Sequence, residues 1–362
     1  MKILFVGGGS GGPVTPLLAV AEEIKKTKPK SSFLYVGTKK GPERVLAEEA
    51  GIDFISLPSG KWRRYFSLKN IFTPFWVIAG FIKSFRILKK HKPRAVFGTG
   101  SFVQVPLIWA AWLLKIPCVV HQQDYLPSLA NSLCQIPAKK ITVTFKKSLK
   151  DFSGSFGLFY KKKVEEKVVL TGNPFRDKLK FSSRENGLKV FNLKKNFPTL
   201  LVLGGGTGAK FLNELIKEAL PELSKIVQII HITGKGKLKT QKSENYYPLE
   251  FTSKMAEAYS AADIVLARAG LSTITELSVL KKVAIIVPMP NSHQEANAVY
   301  LMQKKAAVVI PQKVLNKEVL IKLIRRLLFE HLLQNQIKKN ISEIMPSGAA
   351  NQIAKIILGL IK

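Results

Sequence analysis

Three stretches of this chain combine residue types and spacings that suit phosphate and sugar chemistry. Gly7-x-Gly9-x-x-Gly12 and Gly204-x-Gly206-x-x-Ala209 each follow a short apolar run and lead into a helical pattern. Glycines at such a turn let backbone N–H groups approach an anion, and the helix N-terminus adds partial positive charge. The third stretch, "ARAGLSTITEL" at 267–277, repeats that layout. Its N–H groups from Gly270 to Thr273 are expected to face a nucleotide phosphate, with Glu276 one turn in and able to accept from two ribose hydroxyls. Thr273 and Glu276 also fit a capping box, in which the glutamate only satisfies backbone N–H groups. Both readings stand at this level.

Two common uses of glycine loops are excluded. A dinucleotide site needs an acidic residue about 20 positions on, at the end of the second strand. The chain has Gly37-Thr38-Lys39 and Thr233-Gly234-Lys235 there. Neither loop closes with Gly-Lys-Ser/Thr, which removes a P-loop ATPase. The two cysteines, Cys118 and Cys134, make no metal-ligand cluster and fit a reducing cytoplasm.

The elements that must position these loops follow from the pattern. Strand-like runs at 2–6, 32–36, 54–57, 95–98, 118–121 and 140–144 alternate with helical stretches, and the pattern restarts at 199–203, 227–232, 264–267, 284–287 and 307–310. Such alternation predicts parallel sheets with helices on both faces. "KILFVGGGSGG" is answered by "TLLVLGGGTGA" and "FLYVGTKKG" by "IIHITGKGK", so two similar doubly wound α/β domains are expected. Ligands bind beyond the C-terminal strand ends of such sheets, which would turn both glycine loops to one shared cleft. Expected boundaries are 1–172 for the first domain, rejoined by a final helix at 347–362, and 173–346 for the second.

Lys and Arg number 57 against 24 Asp and Glu, a formal charge of +33, so the surface must meet polyanions. The basic residues are scattered and no helix-turn-helix or RNA-binding signature is apparent, so nucleic acid is not an expected partner. The chain opens directly on a strand, without a signal segment ahead of it. Its longest apolar runs fall short of the roughly 20 residues that cross a bilayer. Residues 59–94 differ: Trp62, Tyr65, Phe66, Phe72, Phe75 and Trp76 interleave with basic residues and no acidic one. That composition suits a surface lying on anionic lipid, or a long helix over 68–91 with a solvated basic face.

With these residues in hand, the chain resembles the MurG family, bacterial glycosyltransferases of peptidoglycan synthesis. The carriers are "GGGSGGPVTPLLAVA" from Gly7, "GTGSFVQVP" from Gly98, "HQQD" at 121–124, "TGNPFR" at 171–176, "LGGGTGAKFLN" from Leu203, "RAGLSTITEL" at 268–277 and "HQEANA" at 293–298. The resemblance covers nearly the whole chain in order. It implies a GT-B architecture of two Rossmann-like domains and inverting transfer of N-acetylglucosamine from UDP-N-acetylglucosamine to undecaprenyl-pyrophosphoryl-N-acetylmuramyl-pentapeptide. It also implies a peripheral location on the cytoplasmic face of the inner membrane. No cofactor is required, and a divalent ion beside the diphosphate stays open.

Residue by residue, the resemblance places Arg176, Gly206, Thr207 and the backbone at Phe251 and Thr252 around the uridine and its phosphates. Gly270, Leu271, Ser272, Thr273 and Thr275 would line the phosphate, Glu276 the ribose, and Gln294 the donor sugar. His293 beside it is either a site residue or a surface histidine. Arg268 would stabilise charge on the leaving UDP. Ser10, Gly11 and Gly12 would face the diphosphates, with Gly100 and Ser101 on the acceptor side.

The departures matter as much. Pro13 stands where the family has histidine, Gln122 where it has glutamate, and Asp124 where it has asparagine. The acceptor hydroxyl must lose its proton as it attacks, and a placed base contributes about 10² to 10⁴ in rate. Asp124 is the expected base, two positions from the lost carboxylate, against a competing role as cap of the helix that follows. His121 is the other candidate catalytic group. Another lipid acceptor such as diacylglycerol, or a binding module that has lost its base, are the alternative functions.

Overall fold

The computed structural model describes residues 1–9, 12–39, 41, 43–60, 73–152, 166–205, 208–238 and 241–361. The chain divides into two compact units, Met1–Arg176 with Pro346–Lys362, and Asp177–Met345.

In the first unit the elements are β1 (Lys2–Val6), α1 (Val14–Thr27), β2 (Ser32–Gly37), α2 (Glu43–Glu49), β3 (Asp53–Ser56), α3 (Thr73–His91), β4 (Ala95–Gly98), α4 (Gln104–Leu113), β5 (Cys118–Gln122), α5 (Leu129–Cys134), β6 (Lys140–Val143) and β7 (Val168–Leu170). The strands form one parallel sheet in the order β3-β2-β1-β4-β5-β6-β7. A strand buried on both faces needs apolar residues throughout, and β1 shows it. Ile3 and Phe5 join the core beneath α1, while Leu4 and Val6 join the opposite core with Leu107 and Ile108 of α4. Phe5 stacks on Phe33 at 5.1 Å and meets Phe97 edge-on at 6.3 Å. Each large apolar side chain so buried contributes about 1.5–3 kcal/mol.

The second unit runs α6 (Arg184–Phe191), β8 (Thr199–Leu203), α7 (Lys210–Leu223), β9 (Gln228–Ile232), β10 (Tyr246–Leu249), α8 (Met255–Ala261), β11 (Ile264–Ala267), α9 (Leu271–Val279), β12 (Val283–Ile286), α10 (Gln294–Gln303), β13 (Val308–Val309), α11 (Lys317–Phe329) and α12 (His331–Ser342). Its six parallel strands follow the order β10-β9-β8-β11-β12-β13. The last helix, α13 (Ala349–Gly359), belongs to the first unit, where Ile353, Ala354 and Ile357 enter the core with Val14, Leu17 and Ile24 of α1.

Two strands escape the sequence pattern. β7 has three residues, too few for a period to register. β10 contains Pro248, which has no N–H to donate and is tolerated because the strand lies at the sheet edge. The helix expected over 68–91 begins at Thr73, the residues before it lying outside those described. Among the described residues no helix is long and apolar enough to cross a membrane.

Strand order decides where ligands can go. In each sheet the direction of winding reverses beside the unit's first strand, between β1 and β4 and between β8 and β11. Loops leaving the carboxyl ends of such a strand pair part to either side and open a crevice. The three stretches singled out in the sequence all leave one of these four strands.

Candidate active site

At the switch point of the first unit, the turn after β1 passes into α1 with Pro13 at the helix start. Pro13 makes no side-chain cap bond, and no acidic residue lies in the first turn. Proline suits the place, because its φ is already near −65° and it lacks an N–H that would go unpaired. Its carbonyl accepts from the Thr99 hydroxyl at 2.7 Å, which ties the turn to the end of β4. Pro13 therefore supplies structure here. Ser10 and Gly11 lie outside the described residues, while Gly12 is half-buried.

A carboxylate that sequence reasoning missed supports this turn. Glu43 opens α2, is fully buried, and its Oε1 accepts from Gly9 N at 3.2 Å, Thr38 N at 2.7 Å and the Thr38 hydroxyl. The acid sought at the end of β2 thus arrives from the next helix, five residues past Thr38. It holds the glycine turn rather than a ribose.

Side-chain amides fix the neighbouring loops. Gly100 N donates to Gln104 Oε1 at 2.8 Å, Gln104 Nε2 to Asn131 Oδ1 at 2.7 Å, and Asn131 Nδ2 to Gln122 Oε1 at 2.6 Å. Gln122 Nε2 then donates to the carbonyls of Asp124 and Leu126, at 2.9 and 2.6 Å. A glutamate at 122 could not make these two donations. The residue that replaces the expected carboxylate is therefore a loop organiser. Ser101 is buried, and its hydroxyl accepts from Val103 N at 3.3 Å within the turn.

Asp124 sits half-buried on the bend after β5. The capping alternative gives way, because Ser128 is the N-cap of α5 and its hydroxyl accepts from Asn131 N at 3.1 Å. His121 requires correction as a catalytic candidate. It is fully buried, with Nδ1 against the Thr142 hydroxyl and Nε2 against Asn173 Oδ1, both at 2.9 Å. Burial lowers its pKa to about 4, so at neutral pH it is an uncharged brace with no nitrogen left for substrate. Arg176 also departs from expectation. Its guanidinium pairs with Glu22 of α1, Nε at 2.8 Å and a terminal nitrogen at 2.5 Å, so it is committed to a carboxylate within the first unit.

In the second unit, α9 leaves β11 through Gly270, which is its N-cap and has no side chain to cap it, and the first turn holds no acid. The capping-box reading therefore fails. Leu271, Ser272 and Thr273 form the first turn, the arrangement in which backbone donors and the helix dipole bind an anion. Thr275 contributes no side chain to it, since its buried hydroxyl bonds back to Leu271 O at 2.8 Å. Asn297 Nδ2 holds the turn by donating to Ala269 O at 3.1 Å.

Glu276, in the second turn of α9, is partly buried and receives the Tyr259 hydroxyl on Oε2 at 2.6 Å. Burial lifts its pKa to about 7 and the tyrosine's hydrogen bond opposes that rise. Arg268 has its terminal nitrogens on Val287 O and Pro288 O, both at 3.1 Å, and Gln312 Oε1 at 2.7 Å. These contacts tie the loop after β11 to those after β12 and β13. Gln294 Oε1 accepts from Met289 N at 3.0 Å, which fixes the side-chain amide across the start of α10. His293 is exposed.

The glycine turn after β8 has Gly205 and Gly208 at positive φ, and leads into α7 with Ala209 as the N-cap residue. Gly206 and Thr207 lie outside the described residues. Asn213 of α7 donates to Thr233 O at 3.1 Å and meets His231 Nε2 at 3.1 Å, joining this turn to the one after β9. Phe251 is exposed, and Thr252 Oγ1 accepts from Lys254 N at 3.0 Å. Among the described residues no three His, Cys, Asp or Glu side chains gather as a metal site would require.

Comparison with known proteins identifies the family. The profile of the glycosyltransferase family 28 N-terminal domain matches residues 3–143, and that of the family 28 C-terminal domain matches residues 199–353. A Clostridium kluyveri protein named UDP-N-acetylglucosamine–N-acetylmuramyl-(pentapeptide) pyrophosphoryl-undecaprenol N-acetylglucosamine transferase is 35% identical over 364 residues, covering 98% of each chain. A protein of the same name from Lachnoclostridium phytofermentans is 36% identical over 368 residues, covering 100% of this chain and 98% of its own. Among solved structures, Acinetobacter baumannii MurG matches with a TM-score of 0.70 at 25% identity over 99% of both chains. The glycosyltransferase of kitacinnamycin reaches 0.74 at 14% identity over 100% of this chain and 99% of its own, a likeness of fold alone.

Proposed function

The chain belongs to glycosyltransferase family 28, and on that premise we propose that it transfers N-acetylglucosamine from UDP-N-acetylglucosamine to a polyprenyl-pyrophosphoryl-N-acetylmuramyl-pentapeptide in peptidoglycan synthesis. The observation that carries the donor side is the α9 start: a helix N-terminus at a switch point with glycine as its cap residue, Arg268 before it and Glu276 one turn in. Diphosphate charge grows as the sugar leaves, and fixed backbone donors, the helix dipole and a nearby guanidinium stabilise it without reorganising. Glu276 accepts from the ribose hydroxyls and Gln294 donates to the sugar.

On the acceptor side, Asp124 takes the proton of the attacking hydroxyl. With Gln122 committed to the loop and His121 buried, it is the carboxylate this segment offers. Inversion follows from a single displacement, with the hydroxyl forming the new bond as the bond to UDP breaks.

The acceptor is a lipid, and the enzyme meets it as a peripheral protein on the cytoplasmic membrane face. Support comes from α3, where Phe75 and Trp76 are 68% and 55% exposed and Ile78 and Ile82 lie exposed at helical spacing beyond them. Lys83, Arg86, Lys89 and Lys90 continue the same helix. Trp62, Tyr65, Phe66 and Phe72 of the basic and aromatic segment lie outside the described residues.

Radiolabelled transfer from UDP-N-acetylglucosamine to a short-chain pyrophosphoryl-N-acetylmuramyl-pentapeptide tests the reading, with diacylglycerol as the parallel acceptor. Transfer to the muramyl lipid is expected. Transfer to diacylglycerol alone, or donor binding without transfer to either, overturns it.

A further inference from the structure

We infer that Tyr259 is a positioning residue for the donor nucleotide: its buried hydroxyl fixes one oxygen of the Glu276 carboxylate and leaves the other to the ribose hydroxyls. The inference rests on the reading of Glu276 as the ribose carboxylate and adds to it the group that makes the carboxylate competent.

Tyr259 lies on α8 and Glu276 on α9, 17 residues apart, and the tyrosine is among the largest fully buried side chains of the protein. Its hydroxyl donates to Glu276 Oε2 at 2.6 Å. A phenol buried this deeply is costly without a partner, and Glu276 is the one it has among the described residues. Oε1 accepts no such bond there. The carboxylate is thus held by one oxygen before any nucleotide arrives, and the ordering cost of a free glutamate rotamer is removed in advance.

The same bond governs protonation. A ribose diol presents two donors and needs an acceptor-only carboxylate; a protonated carboxyl offers a donor in place of an acceptor. Burial brings Glu276 to about 7 even with the tyrosine's bond holding it down, so losing that bond shifts it further toward the protonated form at neutral pH. Of the charged groups on the surrounding elements, Glu257 on α8, Lys282 after α9 and Lys338 on α12, none shifts Glu276, and Lys338 acts on Lys282 instead.

The test measures KM for UDP-N-acetylglucosamine and kcat across pH 6 to 9 for the wild type, Tyr259→Phe and Glu276→Gln. Tyr259→Phe is expected to raise KM roughly tenfold at pH 7, with kcat falling less than about threefold, and to recover much of that loss by pH 9. Glu276→Gln should raise KM at every pH. If Glu276→Gln leaves KM unchanged, the ribose reading fails and this inference with it. If it raises KM while Tyr259→Phe gives a pH-independent change or none, the ribose reading stands and the role of Tyr259 is overturned. Should Tyr259→Phe not fold, 3-fluorotyrosine at 259 keeps the ring and strengthens the donor, so the low-pH rise in KM must move to lower pH; an unmoved rise overturns the inference equally.

Discussion

Gln122 Nε2 donates to the Asp124 carbonyl oxygen at 2.9 Å, so one side chain of "HQQD" holds the bend that carries the other. On the proposed mechanism the half-buried carboxylate does the chemistry, while the buried amide holds the bend. Asp124→Asn keeps the shape and removes the base. Transfer is expected to fall by about 10² to 10⁴ in kcat, roughly 3–5 kcal/mol, with donor KM little changed. Asparagine at 124 with wild-type turnover would sink the assignment.

Buried neutral histidines make the fold sensitive to acid. His121 and His231 are both lowered by burial from 6.5 to about 4. Between these values the unfolded chain binds protons that the native state does not. Their contribution is therefore fully present above pH 6.5 and is lost as pH falls toward 4, on the order of 3 kcal/mol per histidine. Denaturant unfolding at pH 7.5, 5.5 and 4.5 checks this, and replacing His121 by glutamine should flatten the slope. A slope unchanged by that substitution would contradict the account.

The donor-side glycine turn offers a paired test. Gly205 and Gly208 both have positive φ, but a Cβ at 205 would meet nothing within 4 Å, whereas one at 208 would sit 2.0 Å from Thr233 O. Gly205→Ala is expected to cost about 1–2 kcal/mol of stability through its backbone conformation alone. Gly208→Ala must also push apart the turns after β8 and β9, and should show a clearly larger fall in Tm together with weaker UDP binding. Equal effects from the two substitutions would mean that the close approach to Thr233 is unimportant.

Membrane association is checked by co-sedimentation with vesicles. The enzyme should bind vesicles rich in anionic lipid and release them at high salt. Each Lys or Arg replaced on α3, Arg86 for example, should weaken binding about fivefold, from about 1 kcal/mol per nearby charge. Trp76→Ala should weaken binding to anionic and neutral vesicles alike, because its contribution is apolar area. Binding indifferent to lipid charge and to Trp76 would remove α3 as the contact.

By itself the sequence determined which segments become strands and helices and where the glycine turns fall, because those depend on short-range periodicity and on residues that tolerate tight turns. Two parallel sheets followed, as did membership of the family. β7 and β10 were lost for the same reason: a three-residue strand and a proline-bearing edge strand have almost no local signature. Tertiary structure alone decided which polar groups are free to act. The pairing of His121 with Thr142 and Asn173, of Arg176 with Glu22, and of Tyr259 with Glu276 joins residues between 17 and 154 positions apart. A buried polar group must find a partner wherever packing brings one, and linear spacing holds no record of it. Glu43 is the plainest case, since the sequence shows an acid at the start of a helix and only the packing of α2 against the turn after β1 puts it beneath Gly9.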